Sequence, residues 1–197
     1  MAIEDLKRGL TVRAGAWIDR LVGRDPLPPL VPVSEWDPLL TEEISSAVLE
    51  EIFQTPPTQR ELALCFQSGL LLWNDALEPS HTLSQSLPSS TGSYWHGIMH
   101  RREPDFGNSK YWFRKVGAHP AFSNLNRATI TLLQEFGDGY SQTFKSHLEV
   151  RGWDPFDFID RCQKAVEGRE PPEVIDLLER IQVVEIETLL LGCLQNG

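Results

Sequence analysis

The sequence predicts a mainly α, single-domain protein: a bundle of about six to eight helices with a proline-rich extended connector near its N-terminus. Three observations point there. Apolar residues recur three and four positions apart over most of the chain, the repeat of one helix face. Proline and glycine break these stretches at intervals that suit helix ends. Period-two alternation is confined to residues 145–150, which read as a short strand. A chain of 197 residues is most simply one domain, large enough to bury a core without disulfide staples.

Taken in order, residues 1–24 form an N-terminal helical arm, with Leu6, Leu10, Ile18, Leu21 and Val22 on one stripe. Residues 25–40 form the connector. The stretch 25–38 holds five of the fourteen prolines, which remove backbone donors and keep the chain extended, and Trp36 is placed to pin it to the body. The helical domain then runs over residues 41–197. Thr41 opens one helix, and Pro56 and Pro57 follow its end. Thr58 and Glu61 have the spacing of a capping box before a helix apolar on most sides, which suits the centre of a bundle. Shorter helices follow over 78–87 and 93–103, then one capped by Asn108. Residues 120–136 form another. Asp154-Pro155 and Pro171-Pro172-Glu173 open the last two.

A net charge of −10 disfavours nucleic acid and anionic membranes as partners. The longest apolar runs fall well short of the ~18 residues a membrane span requires. The first residues lack the apolar core of a secretion signal. Cys65, Cys162 and Cys193 are far apart and odd in number, so they read as reduced, buried thiols in a cytoplasmic protein.

Residues 94–120 carry the chemistry. Three of the five histidines, two of the six tryptophans and two of the three tyrosines lie there. Five cations (Arg101, Arg102, Lys110, Arg114 and Lys115) against Glu103 and Asp105 make a basic island in an acidic chain. Such an island suits an anionic ligand or pairs internally with acids elsewhere in the fold. At about 100° per residue, His96, His100 and Glu103 share one narrow stripe of a helix. Histidines four apart can hold one metal ion, such as zinc, with His119 or His81 as a third ligand. The pattern is not that of the zinc proteases, because Gly97 stands where they carry glutamate. Lys110 and Arg114 share a cationic face opposite Trp112, Phe113 and Val116. If the turn near Pro104 folds the two helices together, Arg101, Lys110, Arg114 and His81 become ligand-binding residues around catalytic His96, His100 and Glu103.

The string His96-Gly-Ile-Met-His-Arg-Arg-Glu-Pro-Asp-Phe, then Asn108-Ser-Lys-Tyr-Trp-Phe-Arg and Gly117-Ala-His-Pro, resembles a segment of a family of bacterial and fungal proteins. The resemblance covers about 27 of 197 residues and implies no activity, cofactor or catalytic residue.

Three functions follow from the residues themselves. The first is a small-molecule enzyme acting on a phosphate- or carboxylate-bearing substrate, with or without a metal ion. The second is a module that binds a small anion without chemistry. The third is a structural protein in which the segment is a packed helical hairpin and the apolar last helix docks a second copy.

Overall fold

The computed structural model describes residues 3–55 and 57–195, and Pro56 lies outside the described residues. The fold is mainly α. Twelve helices are present among the described residues, joined by one isolated bridge between Leu10 and Phe53. The count exceeds the expected six to eight because the N-terminal arm and the stretch after the connector each divide in two and residues 139–151 form a further helix. The helices are α1 (Ile3–Lys7), α2 (Val12–Val22), α3 (Pro38–Ser46), α4 (Leu49–Ile52), α5 (Arg60–Trp73) and α6 (Leu77–Ser84). They continue as α7 (Ser90–Arg102), α8 (Phe106–Val116), α9 (Ala121–Phe136), α10 (Gly139–Arg151), α11 (Pro155–Val166) and α12 (Pro172–Gln195). Among the described residues no helix is long and apolar enough to cross a membrane.

Residues 145–150 belong to α10 and not to a strand. Phe144 and Leu148, one helical turn apart, are both buried there. That shared face outweighs the local alternation. Three helix starts also differ from the sequence reading. Asp37, not Thr41, caps the first helix after the connector, accepting from the Leu40 N–H at 3.0 Å. Helix α5 starts at Arg60 without a side-chain cap, and Glu61 instead accepts from the Ser89 N–H at 2.8 Å. Asp105, not Asn108, caps α8. In each case a second oxygen-bearing side chain with the same capping chemistry lay within a turn or was drawn to another helix.

The core is organised along α12, whose 24 residues span about 36 Å at 1.5 Å per residue. Its N-terminal half packs Leu177, Leu178 and Ile181 among apolar groups of α9, α10 and α11. Its C-terminal half packs Ile186, Leu189, Leu190 and Cys193 against α5 and α7. The N-terminal arm contributes Leu6, Leu10, Trp17 and Ile18 to that second cluster. Phe106 and Phe122 touch both clusters. Cys65, Cys162 and Cys193 are buried free thiols.

The connector lies against this body as a strap. Its prolines cannot donate, so its carbonyls are satisfied by side chains. Pro26 accepts from Arg24 Nε, Pro28 and Pro29 from Gln182 Nε2, and Pro29 also from Arg102. The Leu30 N–H donates to Glu179 at 3.3 Å. Trp36 is held by its backbone N–H on the Asn74 carbonyl, with the Arg24 guanidinium 4.9 Å from its ring.

Helices α7 and α8 form a tight hairpin, and Gly97 permits it. A Cβ at that position would stand 2.7 Å from the Phe113 ring. Ser109 Oγ donates to the Gly97 carbonyl at 2.7 Å and locks the pair. Helix α6 approaches α7 from the other side, with the Ser80 hydroxyl 3.1 Å from that of Ser68 on α5.

Candidate functional site

Helical spacing alone brings His96 and His100 together, and α6 adds His81. One ring nitrogen of each lies within 4.8 Å of the others. His96 and His100 are buried, whereas the His81 side chain keeps 28% exposure and marks the open side. The Nε2 atoms of His96 and His100 are 2.9 Å apart. His100 Nδ1 faces Glu103 Oε2 at 3.2 Å. An ionised carboxylate only accepts, so Nδ1 carries the proton and His100 Nε2 presents a lone pair. That lone pair also receives the Asn108 amide at 3.0 Å. A second carboxylate, Glu78, stands 3.9 Å from His81 Nδ1. Trp112 stacks on His96 with centroids 3.8 Å apart, and Lys115 Nζ sits 4.0 Å from the Trp112 ring.

Burial favours neutral imidazoles here. Desolvation, reinforced by His100, His81 and Lys115, pushes His96 down to about 3. Desolvation also lowers His100, against the opposing pull of Glu103. Neutral imidazole is the metal-binding form. Two Nε2 ligands on one zinc ion at 2.0–2.1 Å would stand about 3.3 Å apart in a tetrahedral site. To accept one, the 2.9 Å pair must open slightly and the Asn108 amide must leave the His100 Nε2 lone pair, with the ion replacing the shared proton. His96 Nδ1, buried with no hydrogen-bond partner among the described residues, is the atom that would then hold the imidazole proton. A carboxylate behind a ligand histidine is a recurrent support of metal sites, and Glu103 holds that position toward His100.

The remaining sequence-derived site residues fall elsewhere. Arg101, expected to clamp an anion, is buried against Glu185 at 2.5 Å. Lys110 pairs with Asp160 on α11. Arg114 is exposed on the outer face of α8. Arg102 is buried with Asp75. Much of the basic island therefore pairs inside the fold, because acids far away in sequence converge on it. His119, expected as a metal ligand, is separate from the trio. Its Nδ1 accepts from the Ala121 N–H at 3.2 Å, and its Nε2 lies 3.1 Å from Thr91 Oγ1. It lines a cavity of about 560 Å³ between α9 and α12 that the three clustered histidines do not border. Sequence reasoning missed Trp112 as the ring stacked on His96 and Glu78 beside His81. The Glu78-x-x-His81 spacing, one helical turn, was the available signal for the latter.

Burial also pushes His119 down to about 4. The unfolded chain binds this proton below its ordinary value near 6.5, whereas the folded protein excludes it. The resulting stabilisation is complete above pH ~6.5 and is lost as pH falls toward 4. Stability is therefore expected to decline between pH 6.5 and 5 with a slope of at most about 1.4 kcal/mol per pH unit from this histidine. Urea unfolding at pH 7, 6 and 5 measures it. His119→Gln should make the slope shallower by up to that amount, with buried His96 and His100 keeping their own share, and an unchanged slope in that variant would refute the assignment.

No protein-family model matches the chain, and neither a curated protein nor a solved structure is significantly similar to it.

Proposed function

We propose that this protein is a metal-dependent enzyme acting on a small molecule, with His81, His96 and His100 as ligands to one divalent ion. The observation that carries the reading is the convergence of three ring nitrogens within 4.8 Å, two of them on buried histidines. A set of imidazoles without thiolate suits zinc and its neighbours better than magnesium or calcium. Such an ion would supply Lewis acidity toward a substrate oxygen or a water at its open position. The chain's own residues orient the site. Glu103 fixes the His100 tautomer, Trp112 fixes the plane of His96, and the Asn108 amide lies where it could hydrogen-bond a substrate oxygen. With Arg101 and Lys110 neutralised by Glu185 and Asp160, attraction for an anionic substrate would rest on the ion itself and on Lys115 beside Trp112. Access would be past His81 and Glu103, the more exposed members of the cluster.

The competing reading is a metal site without turnover. It is favoured by the burial of His96 and His100 and by the position of the roomier cavity on another face. Metal analysis of protein purified without a histidine tag, then dialysed against zinc, tests the proposal. One equivalent of zinc is expected per chain. Absence of stoichiometric uptake would reject both metal readings. Zinc uptake without zinc-dependent hydrolysis of 4-nitrophenyl acetate or a similar small ester set would favour the non-catalytic site.

A further inference from the structure

The cavity between α9 and α12 shares no residue with the histidine trio, and its lining has its own chemical character. Its volume, about 560 Å³, falls within the roughly 300–1,000 Å³ of small-molecule sites. One wall is a single face of α9, where Ala121, Asn124, Ala128 and Thr131 recur at helical spacing. The facing wall of α12 presents Thr188 and Gly192, with Leu189 beside them. The space exists because these walls carry small groups. A Cβ at Gly192 would meet nothing within 4 Å.

The lining is mixed: Leu62, Ala128, Leu189 and Leu191 are apolar, whereas Gln59, Thr91, Asn124, Thr131, Thr188 and Gln195 bring uncharged polar groups. His119 closes one end. Because its Nδ1 accepts a backbone N–H, its proton sits on Nε2, and burial keeps the ring neutral. Among the described lining residues Arg127 is then the one charged group. Its side-chain partner is the neutral Asn124 Oδ1, and among the described residues no carboxylate forms an ion pair with it. A guanidinium has five donors in a planar fork, and one amide oxygen leaves most of them available.

We infer that this cleft binds a small amphipathic monocarboxylate, its apolar body between α9 and α12 and its carboxylate on Arg127. One cation at the mouth matches one negative charge. The small-residue walls leave room for a slim body, and Leu62, Ala128, Leu189 and Leu191 give its hydrocarbon part apolar contacts. The planar guanidinium matches a carboxylate bidentately.

The test uses octanoate as probe and 1-octanol as its uncharged counterpart, titrated calorimetrically into the full chain at pH 7. Octanoate is expected to bind saturably with one site per chain, and octanol at least ~5-fold more weakly, the modest value reflecting the exposure of Arg127. Arg127→Gln, a surface change, should remove that preference while leaving octanol binding unchanged. Ala128→Phe should fill the cleft and abolish binding of both, with its urea midpoint checked against the parent. The inference is overturned by no saturable octanoate binding, by equal affinity for octanol, or by octanoate affinity unchanged in Arg127→Gln. Retained binding in a folded Ala128→Phe protein would also overturn it.

Discussion

Glu185→Leu is expected to cost about 3–5 kcal/mol of stability, the penalty typical of removing one partner from a buried ion pair. Glu185 sits fully buried on α12 and accepts from Arg101 at 2.5 Å and from the Tyr94 hydroxyl at 3.0 Å. Arg101 is itself buried beneath Phe158, its guanidinium 4.6 Å from that ring. Among the described residues its Nε and Nη1 have no hydrogen-bond partner, so the carboxylate is its principal compensation. Arginine cannot shed its proton to escape. With Glu185 gone, a full charge remains in the interior. For a protein of this size the loss corresponds to a fall in Tm of about 6–20 °C. Arg101→Met combined with Glu185→Leu should recover much of it, because an apolar pair of similar volume removes the charge altogether. Urea unfolding of the parent, the single and the double variant decides the matter. A single variant within about 1 kcal/mol of the parent, or a double variant no better than the single, would contradict the account.

His100→Ala is expected to abolish stoichiometric zinc binding, whereas Glu103→Gln should weaken it by about 10–100-fold. The two changes act at different layers. His100 would supply a coordinating nitrogen. Glu103 touches only the opposite nitrogen of that ring, at 3.2 Å, and acts by holding the proton there. Gln can still accept at this position but carries no charge to strengthen the imidazole as a ligand. Competition with a chromogenic zinc chelator gives the affinities in order. If Glu103→Gln matches the parent, the carboxylate is a surface group that happens to lie near His100. If His100→Ala retains one tight equivalent of zinc, the ion binds elsewhere.

The helix period made part of the site legible. His96, His100 and Glu103 lie on one stripe of α7, and local geometry alone brings them together. The choice between His81 and His119 was not local. It depends on α6 packing against α7, where the His81 and His96 rings meet edge to face, on Ser80 tying α6 to Ser68 of α5, and on the Ala121 amide engaging His119. The charges of residues 101–114 were visible, but their partners were not. Glu185 lies 84 positions from Arg101, and Asp160 lies 50 from Lys110. No spacing rule links such pairs. The mainly helical class emerged for the opposite reason, since each amphipathic stretch carries its own period. Its boundaries blurred where two capping side chains competed, as with Asp105 and Asn108.

The strap over the body has a consequence for the order of biosynthesis. Residues 28 and 30 are held by Gln182 and Glu179, which lie 154 and 149 positions downstream. At roughly 5–20 residues per second, a ribosome needs about 8–30 s to reach them. During that interval the connector has left the tunnel, but α12, its latch and the axis of both core clusters, has not been made. The early helices can form and meet, yet a packed interior waits for α12. Nascent copies therefore pass through a period with apolar α5 uncovered, when encounter with one another or with a chaperone competes with folding.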